Sequence, residues 1–379
     1  ALALVLLVGA GLLIGSFARL EAVAPGFRTE RALAFDVSLP RTRYADAPRK
    51  AAFYESLIER LLTLPGVQSA AAVTTLPLSD NDESYTFEVE NKPNEPGKEP
   101  SAMYYDVTPG YFQTMGIPLL AGRDFSRTDA LDTPRVCIIN DVLAREYFPG
   151  LDPVGRHLFL GAGQGRIFRE IVGVVGSVKH YWLGEKPQPQ AYEPLAQVPD
   201  SGATIVVRST LDPGSLTAAV RGRVQAVDAQ LPIAHVITFD QLVAESVSQP
   251  RFRTLLLGLF AAFAVALAVA GLYGVMSYTV TQRTREIGIR MVLGAQRKSV
   301  YQLVVGQGMI LVGMGVVVGL GSALGMTRLL KRFLFGVEAT DLLTFIAVSA
   351  LLVLVAACAC FFPARRASRV DPLESLRYE

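Results

Sequence analysis

Cysteine, histidine and tryptophan are scarce in this chain: three, three and one in 379 residues. Cys137 sits in the strand-like run Val136-Cys137-Ile138-Ile139, and Cys358 and Cys360 lie two apart in an apolar run. Residues two apart on a helix point to different sides and cannot bridge each other, so no disulfide framework is expected, only small apolar filling. His157, His180 and His235 are scattered without metal-ligand spacing, so no metal site is expected. No Gly-x-x-x-x-Gly-Lys-Ser/Thr motif is present to cradle a nucleotide. Gly161-Ala162-Gly163-Gln164-Gly165 imitates a phosphate loop, but Leu160 and Arg166 flank it and no helix start follows, so it reads as a turn between strands. No serine stands in a Gly-x-Ser-x-Gly setting. Tyr181 and Trp182 could form a binding patch, but a core or rim role is favoured. No catalytic or cofactor-binding constellation follows from these residues. Charge of one sign is also missing: 36 basic against 34 acidic residues leave a net +2, which gives no basic face for nucleic acid.

Charge is absent in another sense from four apolar runs, at 1–18, 254–280, 303–326 and 342–362. Each of the last three is long enough to cross a ~30 Å hydrocarbon core as a helix rising ~1.5 Å per residue. The expected fold class is therefore an α-helical membrane protein with four transmembrane helices and a large α+β extracytoplasmic domain inserted between helices one and two. Ion-coupled carriers place ionisable groups inside the membrane, and only Gln307 interrupts the third run with a long polar side chain, so an ion-driven carrier is disfavoured. Glycines four apart, Gly11 with Gly15, Gly315 with Gly319 and Gly321 with Gly325, suit close helix packing. The chain opens at Ala1 inside an apolar run with no basic leader, which reads as a longer chain cut within a helix rather than a signal peptide.

Arginine and lysine near the helix ends set orientation. Arg283, Arg285, Arg290, Arg297 and Lys298 follow the second run, and Arg365, Arg366, Arg369 and Arg377 follow the fourth. Both segments are thus expected in the cytoplasm with the N-terminus, and residues 19–250 outside. Within 19–250, alternation at 33–39 and 67–76 flanks a helical pattern at 49–63 (Phe53, Leu57, Ile58, Leu61, Leu62) that Pro65-Gly66 stops. The same order recurs at 203–208, 216–227 and 232–238. Two strand–helix–strand units, 33–75 and 203–239, are expected to form one α+β subdomain, with 77–202 inserted as a second.

The segment 281–295 is the sharpest in the chain. Glu286 and Arg290 stand four apart, and Ile287, Met291 and Leu293 form an apolar edge before Gly294. Physically this is either a docking helix or a positive anchor at the lipid surface. Arg283-Thr-Arg285-Glu286-Ile287-Gly-Ile-Arg290-Met291-x-Leu-Gly294-Ala resembles the FtsX-like permease domain of MacB-type ABC transporters. The ending from Pro363, with Asp371-Pro372-Leu373-Glu374, is similar to that family's, as are Leu64-Pro65-Gly66-Val67 and Asn140–Gly150 in the core domain. The likeness covers essentially the whole chain and is nearest to the duplicated orphan permeases. It implies a cytoplasmic ABC ATPase on a separate subunit, contacted by Arg283, Arg285, Glu286, Ile287, Arg290, Met291 and Gly294. It implies a second permease module, in the same chain or a homodimer, membrane lipids around both, and no ATPase activity in this chain. It also implies mechanotransmission from the inner membrane's cytoplasmic side to the outer domain, with export or extraction of a lipid, lipoprotein, peptide or drug. A non-transporting scaffold that regulates an outer partner such as a cell-wall hydrolase is the alternative.

Overall fold

The computed structural model describes residues 1–379 apart from 80–82, 91, 93, 96, 162–166, 284–285, 287–288, 290–296, 332–333, 339 and 368–379. It divides into two compact units, Val23–Ser248 and Ala1–Ala22 with Gln249–Glu379.

The helical unit holds α1 (Leu2–Glu21) and, at the other end of the chain, α7 (Ser248–Gln282), α8 (Arg297–Leu330) and α9 (Leu342–Ala367). All four contain a window apolar and long enough to cross a membrane. The fold class expected from the sequence is the one observed, with longer helices. Polar turns extend α7 and α8 at both ends and α1 and α9 at their C-terminal ends, because helix propensity continues after hydrophobicity ends. α9 runs past residue 362 and through Pro363, a residue that membrane helices tolerate. α1 packs on α8 and α9 through Leu4, Val8, Leu12, Ala323, Phe345 and Val348. The buried Ser16 hydroxyl within α1 accepts a hydrogen bond from the Phe335 N–H at 2.7 Å, so it is not left unpaired in an apolar setting.

The large unit begins with β1 (Ala32–Ser38), α2 (Ala47–Leu62) and β2 (Val67–Val73), and ends with β10 (Gly202–Ser209), α5 (Pro213–Val227), β11 (Ile233–Thr238) and α6 (Phe239–Ser246). Asp46, Asp212 and Thr238 cap α2, α5 and α6 by accepting from the N–H three residues on, as short oxygen-bearing side chains do at a helix start. Gly66 takes φ +84° where a Cβ would meet Leu211, so only glycine makes the turn from α2 into β2 without strain. The four strands form an antiparallel sheet in the order β11-β1-β10-β2, and α2 and α5 cover one face over Phe35, Leu57, Ile205 and Val220.

Between these pieces lie β3 (Ser84–Val89), β4 (Ser101–Val107), α3 (Tyr111–Met115), β5 (Leu119–Gly122), β6 (Val136–Asn140), α4 (Asp141–Tyr147), β7 (His157–Leu160), β8 (Ile167–Val175) and β9 (Gln190–Pro194). Six of the strands pair in a ring, β4-β3-β7-β8-β6-β9, which closes when β9 pairs with β4 in parallel. Closure removes free edges from the ring. Phe87, Cys137, Ile139, Leu158 and Ile171 fill it, and burial pushes the Cys137 thiol up to about 12, in keeping with an apolar filler. One end of the interior is polar: Arg169 and Glu193 form a buried ion pair, and the Tyr104 hydroxyl donates to Glu193 Oε2 at 2.7 Å. The ring and the four-stranded sheet share a single register pair, Val73 with Val107.

Candidate functional site

Two places gather polar and apolar groups in a manner suited to binding. The first is the C-terminal end of α7. The helix stops at Gln282, and the Arg283 N–H still donates to Thr279 O at 3.2 Å. Arg283 and the helical Glu286 are exposed, as is Ile289 at 44%. Arg283 and Glu286, with Met276 and Thr279, border a small cavity of about 60 Å³, closed on the α8 side by Leu303 and Gln307. Gln307, the long polar side chain of the third apolar run, thus lines the same cavity as Arg283 and Glu286, a proximity that the spacing of the sequence does not show. Arg285, Ile287, Arg290, Met291 and Gly294 lie outside the described residues, and the Glu286–Arg290 pairing with them.

The glycine pairs separate into two kinds. A Cβ on Gly11 would lie 2.9 Å from Thr344, and one on Gly319 would lie 3.1 Å from the Leu4 Cβ, so these two sit in close helix contacts. Gly315 is 3.6 Å from Ala1 on the same measure and Gly15 is 3.9 Å from Val337. Gly321 and Gly325 face open space within this chain. Sequence spacing missed Gly308, where a Cβ would fall 2.6 Å from Cys360 Sγ beside Met276. There α7, α8 and α9 meet over Met276, Val304, Cys360 and Ala364. Gly308→Leu should therefore lower the melting temperature of the purified chain in detergent, by the equivalent of about 1–3 kcal/mol of overpacking. Gly325→Leu should leave it unchanged, and equal melting of the two variants would show that the Gly308 contact does not matter.

The second place is a cleft of about 520 Å³ in the large unit. Tyr54, Ile58 and Leu62, four apart on α2, form one wall, and Gly110, Gln113 and Leu131 stand on the opposite side. Gln68, Ser69 and Ala70 of β2 form the floor. Arg127 crosses the mouth, its Nη2 2.7 Å from Glu59 and its Nε 3.6 Å from Glu55. The loop bearing Arg127 is held by a two-pronged pair in which Arg123 donates to both Asp129 oxygens, at 2.8 and 2.9 Å. No pattern in the sequence announced this cleft.

The histidines stay apart. His157 lies 2.9 Å from Glu90, the buried His180 meets the Tyr105 hydroxyl, and His235 is 3.6 Å from Asp36. Among the described residues no group of His, Cys, Asp and Glu could hold a metal ion. Trp182 is 41% exposed, and the loop 162–166 lies outside the described residues.

Comparison with known proteins gives two family matches: a MacB-like periplasmic core domain over residues 1–227 and an FtsX-like permease C-terminal domain over 258–372. The probable syringafactin export ATP-binding/permease protein SyfD of Pseudomonas syringae pv. tomato is 28% identical over 71% of this chain and 41% of its own length. The uncharacterized ABC transporter permease YknZ of Bacillus subtilis is 26% identical over 74% of this chain and 71% of its own. The chain thus spans about two fifths of the length of the first of these relatives. The crystal structure of the periplasmic region of MacB from Actinobacillus actinomycetemcomitans aligns with a TM-score of 0.39 and 15% identity, over 57% of this chain and 92% of that one.

Proposed function

The chain belongs to the family of ABC transporter permeases that join a MacB-like periplasmic core domain to an FtsX-like permease domain, and from that premise we propose that it converts ATP hydrolysis on a separate cytoplasmic ATPase into movement of its extracytoplasmic domain. It is a multi-pass membrane protein with that domain on the far side of the bilayer, and we place it in the inner membrane. The observation that carries the reading is the build of the α7 end. A helix of 35 residues, free of charge through its apolar run, stops in a packed three-helix cluster with Arg283 and Glu286 exposed at its tip. A stiff element anchored there passes a push along its axis rather than absorbing it. Uncharged spans offer no polar path for a solute, which favours reshaping of the outer domain over passage through the bilayer. In this reading a lipid, lipoprotein, peptide or drug is taken up outside the membrane, and a second permease module completes the assembly beside the ATPase pair.

The test is a charge exchange in the coupling segment, Glu286→Arg with Arg290→Glu. An exposed ion pair contributes under ~1 kcal/mol to stability, so insertion and folding should hold. Docking should suffer, because mismatched charges across an interface are costly. Co-purification of the ATPase and its stimulated hydrolysis should both fall, by about tenfold or more, while membrane insertion is intact. A lipid-surface anchor depends on total positive charge, which the exchange preserves. Unchanged ATPase capture would identify the segment as such an anchor and end the coupling assignment.

A further inference from the structure

The floor of the cleft is a sheet edge with nothing paired to it. β2 pairs with β10 along one side, from Val67 to Val73. On its other side β4 meets it only at Val73, and Thr108 finishes the contact: its hydroxyl accepts the Ala72 N–H at 2.8 Å and its N–H donates to Ala72 O at 3.0 Å. From Ala72 back to Val67 no strand lies along that side among the described residues. Backbone groups in an antiparallel strand alternate in direction. Since both Ala72 groups turn away from β10, those of Ala70 turn the same way, toward the cleft that Ala70 lines.

A free edge is a ready template for an added strand. The walls decide what fits. α2 stands on one side and the 108–131 segment on the other, around a volume of about 520 Å³, which suits one short extended segment rather than a second sheet. The edge ends at the Pro65–Gly66 turn on one side and at Thr108 on the other, which leaves about 15–20 Å, a span of four to six extended residues. The mouth adds charge. Glu55 and Glu59 share one guanidinium, that of Arg127, which leaves them one positive charge short. All three side chains are more than half exposed, so this bridge is weak and easily exchanged for another cation. The α2 wall supplies the half-buried Ile58 and the exposed Leu62 for apolar side chains.

We propose that this cleft binds a short linear peptide by strand addition to the free edge of β2. Ala70 contributes the backbone hydrogen bonds, and a basic residue of the peptide meets Glu55 and Glu59 in place of Arg127. Binding here is independent of whether the chain exports anything. The probes are fluorescein-labelled hexapeptides Lys-X-Ala-X-Ala-X, with X as Val, Leu, Ile or Phe, titrated against the full chain in detergent and read by fluorescence anisotropy. At least one should bind saturably. N-methylation of its alternate backbone nitrogens should weaken it about tenfold or more, because the strand hydrogen bonds are then blocked with the protein untouched. Glu55→Gln with Glu59→Gln should reduce affinity several-fold for the Lys peptide and leave a norleucine analogue unaffected. Ala130→Trp, which fills the cleft from a half-buried position on its rim loop, should abolish binding while thermal melting stays at the wild-type value. The proposal is overturned by absence of saturable binding for every probe. It is equally overturned by undiminished binding of the N-methylated peptide, which would mark a pocket for small apolar molecules, or by full binding to a folded Ala130→Trp variant.

Discussion

Replacing Arg169 with Met should be the most damaging single substitution in the large domain. The pair it belongs to sits inside the six-stranded ring, with the Arg169 side chain 9% exposed and that of Glu193 1%. Arg169 Nη1 also donates to Ile167 O at 2.6 Å, and Glu193 takes the Tyr104 hydroxyl. Without the guanidinium, Glu193 is left as a buried carboxylate with one neutral donor, and removing one partner of such a pair costs about 3–5 kcal/mol. For a protein of ordinary marginal stability that is a large share of the total. The double variant Arg169→Met with Glu193→Leu should recover most of the loss, since an apolar replacement of a buried pair is often neutral. Trp182 is the sole tryptophan and reports unfolding of this domain by fluorescence in urea. A midpoint for the single variant equal to wild type would show that the pair is dispensable.

Asp106, next to this pair on β4, should make the domain less stable as pH rises. It is 5% exposed, and its Oδ1 has no hydrogen-bond partner. Burial pushes its carboxyl up to about 8, and the negative charges of Glu83 and Asp200 add to the rise. In the unfolded chain the group titrates near ~3.9. Between these values the native state holds a proton that the unfolded state has lost, so stability falls with pH across that window. The contribution is fully present below about pH 4 and is gone by about pH 8, on the order of 5 kcal/mol for a shift of this size. Asp106→Asn keeps the shape and removes the titration. Its urea midpoint should exceed that of wild type at pH 8, match it near pH 4, and vary little between. A wild-type slope retained in Asp106→Asn would assign the pH dependence to another group.

Much of the architecture was legible because its causes are local. Four runs without charge can only be satisfied by burial in lipid or protein, so the helices and the class of fold followed from counting residues. Strand and helix patterns at both ends of the large domain were readable because apolar spacing of two and of 3.6 does not depend on partners. The segment 281–295 stands out by its motif alone, and the ATPase contact proposed for it rests on that motif and on the exposed Arg283 and Glu286.

Other features belong only to the folded chain, because they depend on residues far apart in sequence. The parallel pairing of β4 with β9 closes the ring across more than eighty residues, and no local period records it. Tyr104, Asp106, Arg169 and Glu193 look like ordinary surface residues of separate strands until the ring turns them inward together. Spacing alone put Gly321 and Gly325 in the same class as Gly319, yet only the packed helices show which glycine meets a neighbour, and that Gly308 meets Cys360. The free edge of β2 exists because β4 leaves it after one residue pair, and the cleft beside it exists because α2 and the 108–131 segment both border that edge. Sequence thus determined which segments enter the membrane and which residues can form helices and strands. Tertiary structure decided which charges are buried, which glycines are tight and which edge is left open, since each of these is a relation between segments rather than a property of one.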